Sequence, residues 1–191
     1  MRYSDGGAGW WVMAVSGQGF EPATGDEREP PSGPEPPSGP EPPSGPEPPS
    51  GPVPPSGPVP PSGRERELRT AYEGMLQIRR LVNGPAGAAV PAPWEVRQPA
   101  RAVALALEAA GFAPSAVDAE GRRTRTGYRV ADGAEPGRAE VTWPGPPGGG
   151  AAEEEQERLT ACAGVLEGLG WVCLLYRGPR RRRFLEVEPP R

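Results

Sequence analysis

The sequence predicts an α+β fold: a small two-layer sandwich with two helices on one face of a mainly antiparallel four- or five-stranded sheet, preceded by a disordered Pro-rich region. Three observations lead there. Two stretches of the C-terminal half carry helical apolar spacing closed by glycine, and the residues between and after them alternate apolar with polar in short runs, as half-buried strands do. Apolar residues are also unevenly spread, 26 of the first 93 against 41 of the last 98, so a core is possible only in the later part. Helices grouped against an antiparallel sheet is the layer solution that such an order of elements admits.

Residues 64–82 read as a helix, with Leu68, Ala71, Met75, Ile78 and Val82 spaced 3, 4, 3 and 4 apart and Tyr72 and Leu76 widening the stripe. Ser62 and Glu65 have capping-box spacing, and Asn83-Gly84-Pro85 stops the helix. Two heptads are too few for an independent coiled coil, so the helix must dock, either on its own domain or on a partner. Residues 84–93, with three prolines, read as a loop. Residues 99–110 form the next helix, opened by Pro99 and closed by Gly111. A short strand within residues 112–118 is confined by Pro114 to an edge or a bulge. Residues 124–131 and 138–143 read as a hairpin, with Tyr128 and Val130 on one strand and Ala139, Val141 and Trp143 on the other facing the core.

In the second helix, Leu159, Cys162, Leu166 and Leu169 repeat at 3, 4 and 3, and Glu153, Glu154, Glu155 and Glu157 fill its exposed first turns, where they suit the positive end of its dipole. Residues 171–176 are apolar on both faces, which predicts a central strand. A basic turn then leads to residues 182–188, where Leu185 and Val187 alternate with Glu186 and Glu188. Leu107-Glu108-Ala109-Ala110-Gly111-Phe112 and Leu166-Glu167-Gly168-Leu169-Gly170-Trp171 echo each other, which suggests an α-β-β unit used twice.

The chain divides into four parts: residues 1–28, a disordered N-terminal segment; 29–63, a Pro-rich linker; 64–93, the amphipathic helix and its loop; and 94–191, the α+β domain. The linker repeats Glu-Pro-Pro-Ser-Gly-Pro four times and a Val variant after it. Its prolines forbid helix and sheet and favour an extended polyproline spacer. The longest apolar run of the first segment, residues 10–15, is too short for a signal-peptide core or a membrane span, so no membrane partner is expected. Translation from Met13 would leave residues 1–12 out altogether.

There is no histidine, and all 21 basic residues are arginine. That removes His-based triads, His-ligated zinc and Lys-dependent phosphate loops, and no catalytic residue, metal or cofactor is expected. The Gly-rich run before the second helix lacks Lys and is followed by acids that repel phosphate. Two cysteines, Cys162 and Cys173, both in apolar runs, read as reduced buried thiols of a cytoplasmic protein. The net charge of −4 belongs to the tail: residues 1–63 carry −6, residues 64–93 carry +2 and residues 94–191 are neutral.

Two candidate sites follow. Arg177, Arg180, Arg181, Arg182 and Arg183 with Arg122, Arg123 and Arg125 would make a basic rim if their strand ends adjoin; with Tyr176 and Phe184 it would take single-stranded nucleic acid in a sequence-tolerant way. The competing reading is a solvated hairpin tip compensated by nearby acids. Trp10, Trp11 and Phe20 on the N-terminal segment, and Leu68 and Met75 on the amphipathic helix, are the candidate contacts with a protein partner. The leading expectation is a non-enzymatic cytoplasmic interaction module, its most favoured partner another protein, with nucleic-acid binding the alternative.

Overall fold

The computed structural model describes residues 20–28, 62–178 and 182–191. Nearly all of the repeat linker, Trp10, Trp11, Arg180 and Arg181 lie outside the described residues.

Helix α1, Gly63–Asn83, begins as its sequence demands: Ser62 Oγ accepts from the Glu65 N–H and the Glu65 carboxylate accepts from the Ser62 N–H. An irregular 3₁₀ stretch, Gly84–Ala89, and a five-residue helix α2, Pro93–Arg97, follow where the sequence suggests only a loop. Helix α3, Pro99–Ala109, is enclosed by α1, by helix α4 (Ala151–Gly168) and by the sheet, which its alanines permit by letting each neighbour approach closely.

The strands are β1 (Ala116–Val117), β2 (Arg123–Arg125), β3 (Arg129–Asp132), β4 (Ala139–Thr142), β5 (Val172–Arg177) and β6 (Arg183–Glu188). β1 and β2 make a small two-stranded sheet, and the other four make an antiparallel sheet in the order β3-β4-β6-β5. The expected hairpin from residue 124 is therefore cut at Thr126-Gly127: β2 leaves to pair with β1, and β3 alone pairs with β4. Gly127 has no room for a side chain, because a Cβ there would meet the Ala113 carbonyl.

Val130, Ala139, Val141, Leu185 and Val187 face α3 and α4 and are buried. The opposite face carries charge, with Arg138 reaching Glu186 at 2.9 Å and Glu188 at 3.0 Å, the usual division of an antiparallel sheet covered on one side. The sheet is built from two equivalent halves, α3-β3-β4 and α4-β5-β6, meeting at β4 and β6, with each helix over its own strands.

Two segments outside residues 94–191 lie against the domain. Helix α1 packs on α3 and joins the domain. Residues 20–28, expected to be disordered, lie along the domain with Ala23 buried. Their hold is polar: the Tyr128 hydroxyl donates to the Ala23 carbonyl at 2.8 Å, the Ala23 N–H to Glu108 at 3.0 Å and the Val130 N–H to the Thr24 carbonyl at 2.8 Å. Low apolar content hides such a segment from a composition argument, because hydrogen bonds add to the burial of only a few apolar residues in securing it.

Candidate functional site

The buried face of α1 runs through Met75 and Arg79, with Leu68, Ala71, Tyr72 and Leu76 packed against the core. Ile78 and Val82, members of the apolar stripe, are 39% and 55% exposed, while Arg79 is fully buried. The cause is a single charged cluster. Arg79 Nε and Nη2 donate to the two Glu95 oxygens at 2.7 and 2.6 Å, and its Nη1 donates to the Ala88 carbonyl at 2.8 Å and the Leu169 carbonyl at 2.6 Å. One guanidinium thus joins α1 to α2, to the 3₁₀ stretch and to the end of α4, using the donors a fork geometry provides. Glu95 also accepts from the Ala92 N–H at 3.0 Å. Leu68 and Met75, candidate partner contacts, are turned toward this chain's own core instead, since α1 needs a surface to dock on and α3 supplies it.

Phe20, the third aromatic of the candidate N-terminal motif, is half-buried against the core beneath Arg64, whose guanidinium stands 5.0 Å from its ring centre. Its carbonyl accepts from Arg101 at 3.0 Å. It is not a free linear motif.

Topology brings the end of β5, the start of β6 and the start of β3 to one end of the sheet, so the two arginine clusters are on the same side of the molecule. Of the six arginines among the described residues, four carry ion pairs there. Arg122 pairs with Asp118 and Glu120, Arg123 with Asp26 at 2.6 Å and with the Gly25 carbonyl and Ser115 hydroxyl, and Arg125 donates to the Pro114 carbonyl at 2.9 Å. Arg182 donates to Glu155 at 2.6 Å and to the Trp143 carbonyl at 3.2 Å, and the Arg183 N–H donates to Glu155 at 2.8 Å. Glu155, expected on an exposed helical turn, is thereby 2% exposed, and it fastens α4 to the β5–β6 turn. Arg177 has no ion-pair partner among the described residues. Tyr176 and Phe184 stack on each other at 5.5 Å.

The acid of Asp26 lies between Arg123 and Arg129. Burial pushes its carboxyl up, but the hydrogen bonds from Arg129 and Arg123 and their charges outweigh that and hold it below the ordinary 3.8. Burial pushes the thiols of Cys162 and Cys173 up to about 12, so both stay protonated and poorly nucleophilic at neutral pH. No cluster of three or more potential metal-binding side chains occurs among the described residues. Two open grooves occur, about 500 Å³ beside Phe20 and α1 and about 770 Å³ between α2 and the β3–β4 turn, the second lined by Arg97, Asp132, Glu135 and Arg138.

What remains conspicuous is β5. Its two-sided apolarity predicts a central strand, yet it forms the edge of the sheet, because β6 turns back and takes the place beside β4. Val172, Leu174, Leu175 and Tyr176 are 36–44% exposed on this strand. Two-sided apolarity does not fix a strand's place in the sheet, because strand order depends on pairing between residues far apart in the chain.

Among the described residues, no helix is long and apolar enough to cross a membrane. No family model matches the chain, and no curated protein and no solved structure matches it significantly.

Proposed function

We propose that this chain is a non-enzymatic, cytoplasmic protein-interaction module that binds by strand addition at the open edge of β5, with residues 29–63 as its spacer. The observation that carries the reading is a six-residue strand with apolar side chains on both faces standing at the edge of a sheet. Exposed apolar edges invite pairing, and proteins that do not use them usually blunt them with lysine, proline, a bulge or a covering segment. Among the described residues, β5 carries none of these along residues 172–176. Two further points favour binding over catalysis: the buried carboxylates Glu95 and Glu155 are each clasped by arginine, and the thiols have raised pKa values. The engaged arginines make the nucleic-acid alternative the weaker of the two.

Site-specific photo-crosslinking in cells tests it. A benzophenone side chain at Leu175 should capture a protein, whether a second copy or another chain, while the same group at exposed Glu120 in the β1–β2 turn should not. Capture from both positions alike, or from neither, removes the reading.

A further inference from the structure

The pairing capacity of β5 is defined atom by atom. The Gly178 N–H donates to the Arg182 carbonyl at 2.7 Å, and the register pairs Tyr176 with Phe184, Leu174 with Glu186 and Val172 with Glu188. Antiparallel strands alternate the direction of their backbone groups, so these residues bond inward to β6, and the N–H and C=O groups of Cys173, Leu175 and Arg177 point outward. Among the described residues no backbone partner meets them. At the equivalent edge of the other half, outward groups at the start of β3 are occupied: Tyr128 exchanges bonds with Ala113 and Ser115, and the Val130 N–H meets Thr24. Glu108 at the end of α3 holds that covering segment through the Ala23 N–H. Its counterpart in the echo sequence, Glu167 at the end of α4, is exposed and without an ion-pair partner among the described residues, and its charge acts on Cys173 of β5.

The nineteen residues before Phe20 span up to about 65 Å when extended and can reach this edge, so their removal is one arm of the test. The repeat linker lacks the N–H groups that an added strand needs, since half its residues are proline. Charge and symmetry instead favour the strand itself. Resting on the proposal that this edge is a binding edge, the geometry points to a second copy of the chain, β5 against β5 in antiparallel order about a two-fold axis at Leu174.

In that register Cys173 and Leu175 of each copy exchange backbone hydrogen bonds, Val172 meets the other Tyr176, and Leu174 meets itself. All four exposed apolar side chains acquire apolar neighbours. Arg177 of each copy falls opposite the other Trp171, diagonal to Cys173 and so beside the unpaired Glu167, and this complementary pair occurs twice. The helices agree as well: α4 lies over β5 and β6, so two strand spacings place the two α4 helices about 10 Å apart, a normal packing distance. The product is an eight-stranded sheet with an isologous interface.

The test uses the full-length chain. Sedimentation equilibrium should show a dimer, and Leu174→Cys in a Cys173→Ser background should form an intermolecular disulfide, because a non-hydrogen-bonded antiparallel pair places its Cα atoms about 4.5 Å apart, within disulfide range. Glu167→Arg should weaken the dimer by about fivefold or more, and adding Arg177→Glu should restore it; both positions are exposed, so folding is spared. A chain that stays monomeric up to about 100 μM overturns the second copy, yet the edge reading survives if Leu175 photo-crosslinks another protein. A dimer in which the Leu174→Cys variant forms no such disulfide, or one that vanishes when residues 1–19 are removed, also overturns it and assigns the contact elsewhere.

Discussion

The two halves of the sheet are built alike and finished differently. In α3-β3-β4 the outer strand is closed by Ala113, Ser115 and Thr24, and the carboxylate at the end of the helix holds the covering segment. In α4-β5-β6, among the described residues, the outer strand keeps an unpaired hydrogen-bonding row and four exposed apolar side chains, and the matching carboxylate has no ion-pair partner. The difference shows that closing an edge requires little apolar sequence. Residues 20–28 do it with backbone bonds, one buried tyrosine hydroxyl and Asp26 between two arginines, whereas a strand rich in leucine has no covering segment among the described residues.

The largest effect is expected where both halves share a support. Arg79 clasps Glu95 and also holds the Leu169 carbonyl just before β5. Arg79→Met would leave Glu95 buried without its partner, at a cost of about 3–5 kcal/mol. The urea midpoint should fall accordingly, and hydrogen exchange in β5 should accelerate with global unfolding. An unchanged midpoint would mean that the open edge does not depend on this clamp. Next comes the closed edge. Gly25 has φ +92° and lies so close to the Tyr128 carbonyl and the Ser115 hydroxyl that a Cβ collides with both. Gly25→Ala should cost about 1–3 kcal/mol, and the Val130 amide should lose protection before any other in β3. If protection there persists, the closure does not run through Thr24.

The sequence discloses features fixed by neighbours close along the chain, and it conceals those fixed by partners far away in it. The Pro99-to-Gly111 frame, the capping box at Ser62 and Glu65, and the alternation around Val141, Leu185 and Val187 all correspond to the structure, because each depends on nearest neighbours along the chain. The face of α1 does not: counting apolar residues favours Ile78 over Arg79, and only the distant Glu95 and Leu169 carbonyl explain why the guanidinium is inside. Glu155 is the same lesson on α4. The edge position of β5 follows from strand order, and strand order is set by contacts between residues far apart, which no local pattern records. The arginine clusters are legible as clusters, but the acids and carbonyls that engage them are not.

A smaller effect separates the two parts of the closure. Tyr128→Phe removes the buried hydroxyl that donates to the Ala23 carbonyl, at a cost of about 1 kcal/mol, and should loosen residues 20–28 without opening β3 to β4. Acid should act on the same segment. The Asp26 carboxyl is lower in the folded chain than its ordinary 3.8, so the folded state binds fewer protons in that window. Its contribution is complete above pH 3.8 and is lost as pH falls through the folded value. Hydrogen exchange at Val130 should therefore rise on acidification below that point, and Asp26→Asn should flatten this dependence. Equal acid sensitivity in both variants would assign it to other carboxylates.

The smallest change in stability is expected at the open edge, and that is what makes it informative. Leu175 is 42% exposed and its outward backbone groups have no partner among the described residues. Leu175→Thr keeps β propensity while removing apolar surface, so the chain measured at concentrations where it is monomeric should unfold within about 0.5 kcal/mol of the parent. Self-association should nevertheless weaken, because the same side chain meets Cys173 of the other copy in the paired edge. A residue that stabilises its own fold would show the reverse, a lower denaturation midpoint with association unchanged. That outcome would place Leu175 in the core of its own half and erase the contrast between the two edges.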